Sequence, residues 1–74
     1  MNDFPCRELV KKIKEAYPAG TRVELVYMDD DYAPPAGTQG TVERVDDIGT
    51  VHVAWDNGRR IGVIYGEDTI RRIE

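Results

Sequence analysis

The N-terminal part of the chain carries apolar side chains at helical spacing. They recur every three or four positions, at Cys6, Leu9, Val10, Ile13, Ala16 and Tyr17. Lysines fill much of the other side, so the pattern predicts a short amphipathic helix. We expect Asp3 to cap it, and Pro18 and Gly20 to end it. Its basic face could contact a membrane or nucleic acid, but docking of the apolar stripe on the rest of the fold is favoured because so short a helix does not persist alone.

From Thr21 onwards the pattern changes to the two-residue alternation of β-strands. It predicts strands over residues 21–28, 41–45, 50–55, 59–65 and 70–73. Val51, Val53 and Trp55 share one face of the third strand, which we expect to face the core or its rim. By the same alternation, the inward residues of the other strands are Val23, Leu25, Tyr27, Ile61, Val63 and Tyr65. Val26 and Met28 make the second face of the first strand apolar, which would give the helix a docking surface.

The segments between the strands are rich in turn residues. Gly49 is placed to supply a positive φ after Asp46 and Asp47. Asn57-Gly58 between alternating strands predicts a type I′ turn, which needs positive φ at both central residues. A short helical turn is expected at residues 66–69. By contrast, residues 29–40 form one long loop with three consecutive aspartates and two prolines.

This order of elements predicts a mainly β fold. Five short strands with a long first loop, a tight third turn and a short helical turn before the last strand are the plan of an SH3-like barrel. Closing the sheet would also remove exposed strand edges. We therefore predict one domain over residues 1–74, with the helix within residues 1–17 and a five-stranded SH3-like small barrel over residues 21–73.

Composition restricts the class of protein. The chain has 74 residues, a net charge of −4, one cysteine, and neither a long apolar run nor a signal-peptide pattern. These features favour a cytoplasmic protein that does not enter the membrane. The negative charge also lowers the expectation of nucleic-acid binding, which normally needs a positive contact face.

The sequence offers little for catalysis. Cys6 lies on the helix stripe, where a buried thiol is usually inert, and His52 stands alone on a strand face. The carboxylate pairs lie in turns, where nothing would raise a pKa for acid catalysis. Cys and His do not cluster as metal ligands, and no glycine-rich phosphate loop precedes a helix. We expect no enzyme activity, no metal and no cofactor.

Several stretches closely resemble a bacterial family known as domain of unknown function 4314. They are Tyr17-Pro-Ala-Gly-Thr-Arg-Val-Glu-Leu-Val-Tyr-Met-Asp-Asp, Pro35-Ala-Gly-Thr-Gln-Gly-Thr-Val, Val51-His-Val-Ala-Trp-Asp-Asn-Gly and Ile64-Tyr-Gly-Glu-Asp. The resemblance covers about residues 17–73. It implies a short cytoplasmic protein of Firmicutes, often encoded near phage or mobile-element genes, and it implies no activity. Gly40-Thr41-Val42 is also similar to KOW-type ribosomal and transcription-factor barrels, over three residues only.

Two binding hypotheses remain. The first is a protein-interaction module that uses the long loop and the last turn. Its candidate residues are Asp29, Asp30, Asp31, Tyr32, Pro34, Pro35, Glu67 and Asp68. Tyr32 beside three carboxylates would suit a basic or proline-rich peptide, whereas calcium loops space their carboxylates differently. A solvated loop whose Tyr32 folds back on the barrel is the alternative. Trp55 ends its strand, unlike the groove tryptophan of eukaryotic SH3 domains, so polyproline binding does not follow from the fold.

The second hypothesis is a nucleic-acid-binding barrel. Its candidate residues are Arg44, Arg59, Arg60, Arg71 and Arg72, provided that they converge on one face. Alternation places Arg59 and Arg60 on opposite faces, which favours the first hypothesis. An unknown protein is therefore the preferred partner. Both a monomer and a homodimer, formed through the helix stripe or a barrel edge, stay open.

Overall fold

The computed structural model describes residues 6–73. These residues form one helix followed by five strands. The elements are α1 (Arg7–Ala16), β1 (Arg22–Tyr27), β2 (Gln39–Val45), β3 (Val51–Trp55), β4 (Arg60–Val63) and β5 (Thr69–Arg72). The mainly β class with one N-terminal helix is thus confirmed. β1, β3 and β4 are shorter than predicted, whereas β2 and β5 begin earlier than predicted.

All five strands lie in one antiparallel sheet with the order β4-β3-β2-β1-β5. The last strand therefore returns to pair with the first, beside the meander of β2, β3 and β4. The two edge strands, β4 and β5, do not pair with each other, so the sheet is open. The predicted closure of the sheet into a barrel is therefore not confirmed.

The apolar stripe of α1 docks on the sheet as expected. Val10 and Ile13 are buried, and Ile13 belongs to the same core as Val23 and Leu25. The helix ends at Tyr17, whose N–H donates to the carbonyl of Ile13. Helix packing of this kind replaces the intrinsic stability that a ten-residue helix lacks.

The N-terminus of α1 differs from the prediction. Asp3, the expected cap, lies outside the described residues, and the cap position is held by Cys6, which makes no side-chain capping bond. Cys6 is exposed and not buried in the stripe. The stripe reaches the core from Leu9 onwards, so only the first apolar position of the pattern faces solvent.

A β-bulge changes the inward face of β1. The pairing of β1 with β5 shifts register between Leu25 and Tyr27, which leaves Val26 without a direct partner. After the bulge the alternation is reversed, so Met28 is buried while Tyr27 is 57% exposed. The predicted inward position of Tyr27 is therefore wrong. The predicted apolar second face is right for Met28 and wrong for Val26, which is also exposed.

Both tight hairpins use the same turn, and it is not type I′. In the first turn, the N–H of Gly49 donates to the carbonyl of Asp46, and the N–H of Asp46 donates to the carbonyl of Thr50. The second turn has the same two bonds, from Gly58 to Trp55 and from Trp55 to Arg59. Within these two turns only Gly49 and Gly58 have positive φ, and no non-glycine residue among residues 6–73 does. This is a type I turn followed by a glycine bulge. The type I′ prediction for Asn57-Gly58 is wrong because Asn57 stays in ordinary backbone space and its Oδ1 accepts from the N–H of Arg59.

Trp55 is the largest side chain of the core. It is 2% exposed, and its indole Nε1 donates to the carbonyl oxygen of Ile61 at 3.0 Å. Gly40 lies opposite Trp55 in the β2–β3 pairing and gives the indole room. The expectation that Trp55 faces the core is confirmed.

Candidate functional site

The long loop between β1 and β2 is held by hydrogen bonds at both ends. The N–H of Gly37 donates to the carbonyl of Leu25, and the N–H of Leu25 donates to the carbonyl of Thr38, each at 2.8 Å. Within the loop, Asp30 Oδ1 accepts from the N–H of Tyr32 at 2.7 Å. These bonds fix the backbone of the loop and still leave its side chains available to a partner.

Asp68 ties the long loop to the turn between β4 and β5. Its Oδ1 accepts from the N–H of Asp29 at 3.0 Å, and its Oδ2 accepts from the N–H of Ile64 at 2.9 Å. The predicted binding residues of the two segments are thus brought together, as the first hypothesis requires. Asp68 itself is half-buried and acts as the clamp between them.

Tyr32 and the prolines of the loop occupy different environments. Tyr32 is 73% exposed, so it does not fold back on the sheet. Its carbonyl oxygen lies 3.5 Å from Arg59 Nη1. Pro35 is exposed, whereas Pro34 is buried and is therefore not part of a surface that a partner could contact.

The negative side chains at this end of the molecule make no ion pair within 4.0 Å among residues 6–73, although Arg59 approaches the same loop through the carbonyl oxygen of Tyr32. Asp29, Asp30, Asp31 and Glu67 are all exposed, and we call them the acidic surface. Among residues 6–73, every ion pair within 4.0 Å involves other carboxylates. No ion pair among the described residues therefore involves the acidic surface.

The candidate arginines do not converge as a group. Arg44, Arg60 and Arg71 lie on the face of the sheet away from the core, opposite His52, Ala54 and Glu24 in the strand pairings. Arg72 lies opposite the core residue Val23, on the other face. Arg59 reaches the long loop instead, which agrees with the expectation that Arg59 and Arg60 point in different directions.

Carboxylates accompany the arginines on this outer face. Arg60 Nε lies 3.2 Å from Glu43 Oε2, and Arg71 Nη2 lies 2.6 Å from Glu24 Oε1. A further arginine, Arg22, donates from both terminal nitrogens to Asp56, at 3.0 and 2.6 Å. The hydrogen bonds from Arg22 and its positive charge hold the pKa of Asp56 below its ordinary value, although desolvation opposes them. Three arginines of the outer face thus lie beside carboxylates, whereas Arg44 is exposed and takes part in none of the described ion pairs.

A cleft of about 530 Å³ opens between α1 and the turn that joins β4 to β5. Ile13, Val63 and Ile70 contribute apolar surface to it, and Tyr17 and Tyr65 line it as well. The cleft does not follow from the sequence pattern, because the alternation of β4 predicts that Tyr65 points into the sheet. In the structure β4 ends at Val63, since the N–H of Ile64 turns to Asp68, and Tyr65 is 59% exposed.

His52 and Asp46 form a pair next to the first hairpin. His52 Nε2 lies 2.9 Å from Asp46 Oδ2, while Asp46 Oδ1 accepts from the N–H groups of Ile48 and Thr50. Burial acts to raise the pKa of Asp46, but the hydrogen bonds from His52 and the two amides outweigh it, so the pKa lies below its ordinary value. The histidine thus has a structural partner in the turn.

This pair gives a pH-dependent contribution to stability. Because the pKa of Asp46 is lowered in the folded state, its contribution is present above the ordinary aspartate pKa of about 4 and is lost as the pH falls through the lowered value. We expect Asp46→Asn to cost about 1 kcal/mol at pH 7 and much less near pH 2. Urea unfolding of both proteins at both pH values measures this difference. Asp47→Asn serves as control, and an equal cost of Asp46→Asn at both pH values would contradict the expectation.

Within residues 6–73, no three His, Cys, Asp or Glu side chains are grouped so that they could hold a metal ion. Among residues 6–73, no helix is both long enough and apolar enough to span a membrane.

The geometry defines a small domain with one open antiparallel sheet, a docked N-terminal helix and an acidic surface beside a cleft. The family model described as Domain of unknown function (DUF4314) matches residues 6–73, and the chain therefore belongs to this family. The family resemblance found in the sequence is thus confirmed. No curated protein matches the chain.

Proposed function

We propose that this domain is a non-enzymatic protein-interaction module that binds a positively charged segment of a partner protein. The observation that carries the proposal is an asymmetry of charge. The carboxylates of the acidic surface make no ion pair within 4.0 Å among residues 6–73, since Arg59 contacts the backbone of this loop and not its carboxylates. Arg22, Arg60 and Arg71 on the outer face, in contrast, pair with carboxylates. Four exposed carboxylates without an ion pair are therefore available to a partner on the long loop and the last turn.

The contacts of the loop favour binding without a large entropic cost. Its backbone is fixed by Asp30 at one point and by Asp68 at another, so little order must be gained on binding. Each exposed ion pair contributes only about 0–1 kcal/mol, so charge alone gives weak binding and a faster approach. Tyr32 adds apolar and cation–π contact with a lysine or arginine.

The strand order supports an SH3-like relationship. A long first loop, a meander of three strands and a last strand that pairs with the first are the connections of that fold, although the edges of this sheet stay apart. Trp55 is enclosed by the core and is not on a peptide groove. We therefore place binding on the acidic surface and not on a polyproline site. The cytoplasmic, bacterial and mobile-element setting remains a prediction from the sequence.

The proposal is tested with a fluorescent peptide rich in lysine and arginine. The triple variant Asp29→Asn, Asp30→Asn, Asp31→Asn removes three charges and keeps the Oδ1 acceptor that Tyr32 uses. We expect it to weaken binding about tenfold or more, because the long-range attraction is lost. The control variant Glu8→Gln, Glu15→Gln, Asp47→Asn removes the same charge from other exposed sites and should bind almost as well as the unchanged protein.

Absence of peptide binding at low salt, or equal losses in the two triple variants, would overturn the proposal. A parallel titration with an oligonucleotide tests the alternative. Oligonucleotide binding that weakens with salt and is lost on replacing Arg44, Arg60 and Arg71 would favour the nucleic-acid hypothesis instead.

A further inference from the structure

The cleft beside α1 lies between the ends of the two edge strands of the open sheet. Val63 at the end of β4 and Ile70 in β5 line it from the sheet, and Tyr17 lines it from the end of the helix. Its volume of about 530 Å³ falls within the range of small-ligand pockets, about 300–1,000 Å³. The helix therefore covers the gap between the edge strands only in part, and one large side chain of a partner can enter.

The walls of the cleft leave apolar surface in contact with water. Tyr65 is 59% exposed and Tyr17 is half-buried, while Ile13 and Val63 beneath them are almost fully buried. An apolar side chain placed there would remove two aromatic rings from water, and burial of apolar area favours binding. Such a contact would supply affinity that the exposed charges alone do not provide.

The cleft is continuous with the acidic surface. Asp68 lines the cleft, and the same carboxylate accepts from the N–H of Asp29. Glu67 is exposed and lies between Gly66 and Asp68, which both line the cleft. Lys12 lies on the helical wall. A bound cation is thus attracted towards the turn and repelled by the helix, which orients a basic segment along the β4–β5 side.

We propose that the basic partner segment carries one large apolar side chain, and that this side chain enters the cleft while its neighbouring lysines or arginines contact the acidic surface. This inference rests on the proposed function and specifies the class of partner: a basic segment with an apolar anchor, as opposed to a purely charged one. The negative charge beside the cleft favours a basic segment as the occupant. A second copy of the chain is less suitable, because its apolar helix stripe packs on its own sheet.

The test compares two fluorescent peptides on the full chain. Both consist of lysine and arginine, and they differ only at the central position, which is leucine in one and serine in the other. We expect the leucine peptide to bind about tenfold more tightly. Ala16→Leu fills the cleft from the helix without adding charge, and it should remove the preference for leucine while it leaves binding of the serine peptide unchanged. Ala19→Leu, exposed and outside the cleft, is the matched control and should keep the preference.

The outcomes separate the two proposals. Equal binding of both peptides by the unchanged protein would overturn the anchor and leave the proposed function standing. Retention of the leucine preference in Ala16→Leu, or in Tyr65→Ala as a second variant, would also overturn it. Failure of both peptides to bind would remove the proposed function and this inference with it. Before binding is measured, circular dichroism spectra of each variant are used to check that it is folded.

Discussion

Trp55→Ala is expected to remove a large part of the stability of this domain. The indole fills the core and its Nε1 donates to the carbonyl of Ile61, so truncation leaves a large cavity and removes a buried hydrogen bond. Replacement of a core tryptophan by alanine costs about 3–5 kcal/mol. A domain of this size typically has about 4–11 kcal/mol in total. We expect urea unfolding followed by circular dichroism to show a midpoint far below that of the unchanged protein.

Trp55→Phe separates packing from hydrogen bonding. It keeps an aromatic ring in the core but lacks the donor, so we expect a smaller loss of about 1–2 kcal/mol. If Trp55→Ala cost no more than Trp55→Phe, the ring would not be filling the core as the structure shows.

Gly40→Ala is expected to be the most damaging small substitution. A Cβ at this position would lie 2.6 Å from Val53 Cγ1, 2.9 Å from Trp55 Cε3 and 3.0 Å from the backbone oxygen of Ala54. Overpacking of a tight core typically costs about 1–3 kcal/mol, and here a backbone atom must move as well. Fluorescence of the single tryptophan, Trp55, reports both the loss of stability and any change in the environment of the indole.

Gly62→Ala is the matched control because it is also a strand glycine without positive φ. Its added Cβ would meet Thr50 Cγ2 at 2.7 Å but no backbone atom closer than 3.8 Å. The side chain of Thr50 is half-buried and can adjust, so we expect a loss below about 1 kcal/mol. A greater loss for Gly62→Ala than for Gly40→Ala would contradict the role assigned to Gly40.

The sequence predicted which helix and strands form, but not where the strand pairing becomes irregular or whether the sheet closes. The inward face of β3 and the docking of α1 follow from spacing alone, because both depend on a regular period. The bulge at Val26 interrupts that period, and nothing in the local residues indicates where the pairing with β5 shifts. For the same reason Tyr27 was placed inside and is exposed. The open edges also escape prediction, because closure depends on how far the whole sheet curls.

The candidate site was predicted in part. The acidic residues of the long loop and the last turn suggested a shared surface, but the sequence did not show what holds the two segments together. In the structure, the N–H of Asp29 donates to the carboxylate of Asp68 and joins them. The environment of Pro34 could not be read from the sequence, since a proline pair in a loop gives no sign of which ring is buried. The inward prediction for Tyr65 is wrong because the apolar alternation of β4 continues to it in the sequence, whereas the carboxylate of Asp68 accepts from the N–H of Ile64 and ends the strand.

The pairing of the last strand with the first has a consequence for the order of folding. The meander of β2, β3 and β4 is joined by two five-residue turns, so each hairpin closes with little loss of chain entropy. The ion pair of Glu24 with Arg71, in contrast, joins positions 47 residues apart. We therefore expect the meander to form in the folding transition state and β5 to join afterwards. Changes in β5 would then mainly accelerate unfolding, whereas changes in the two hairpins would slow folding.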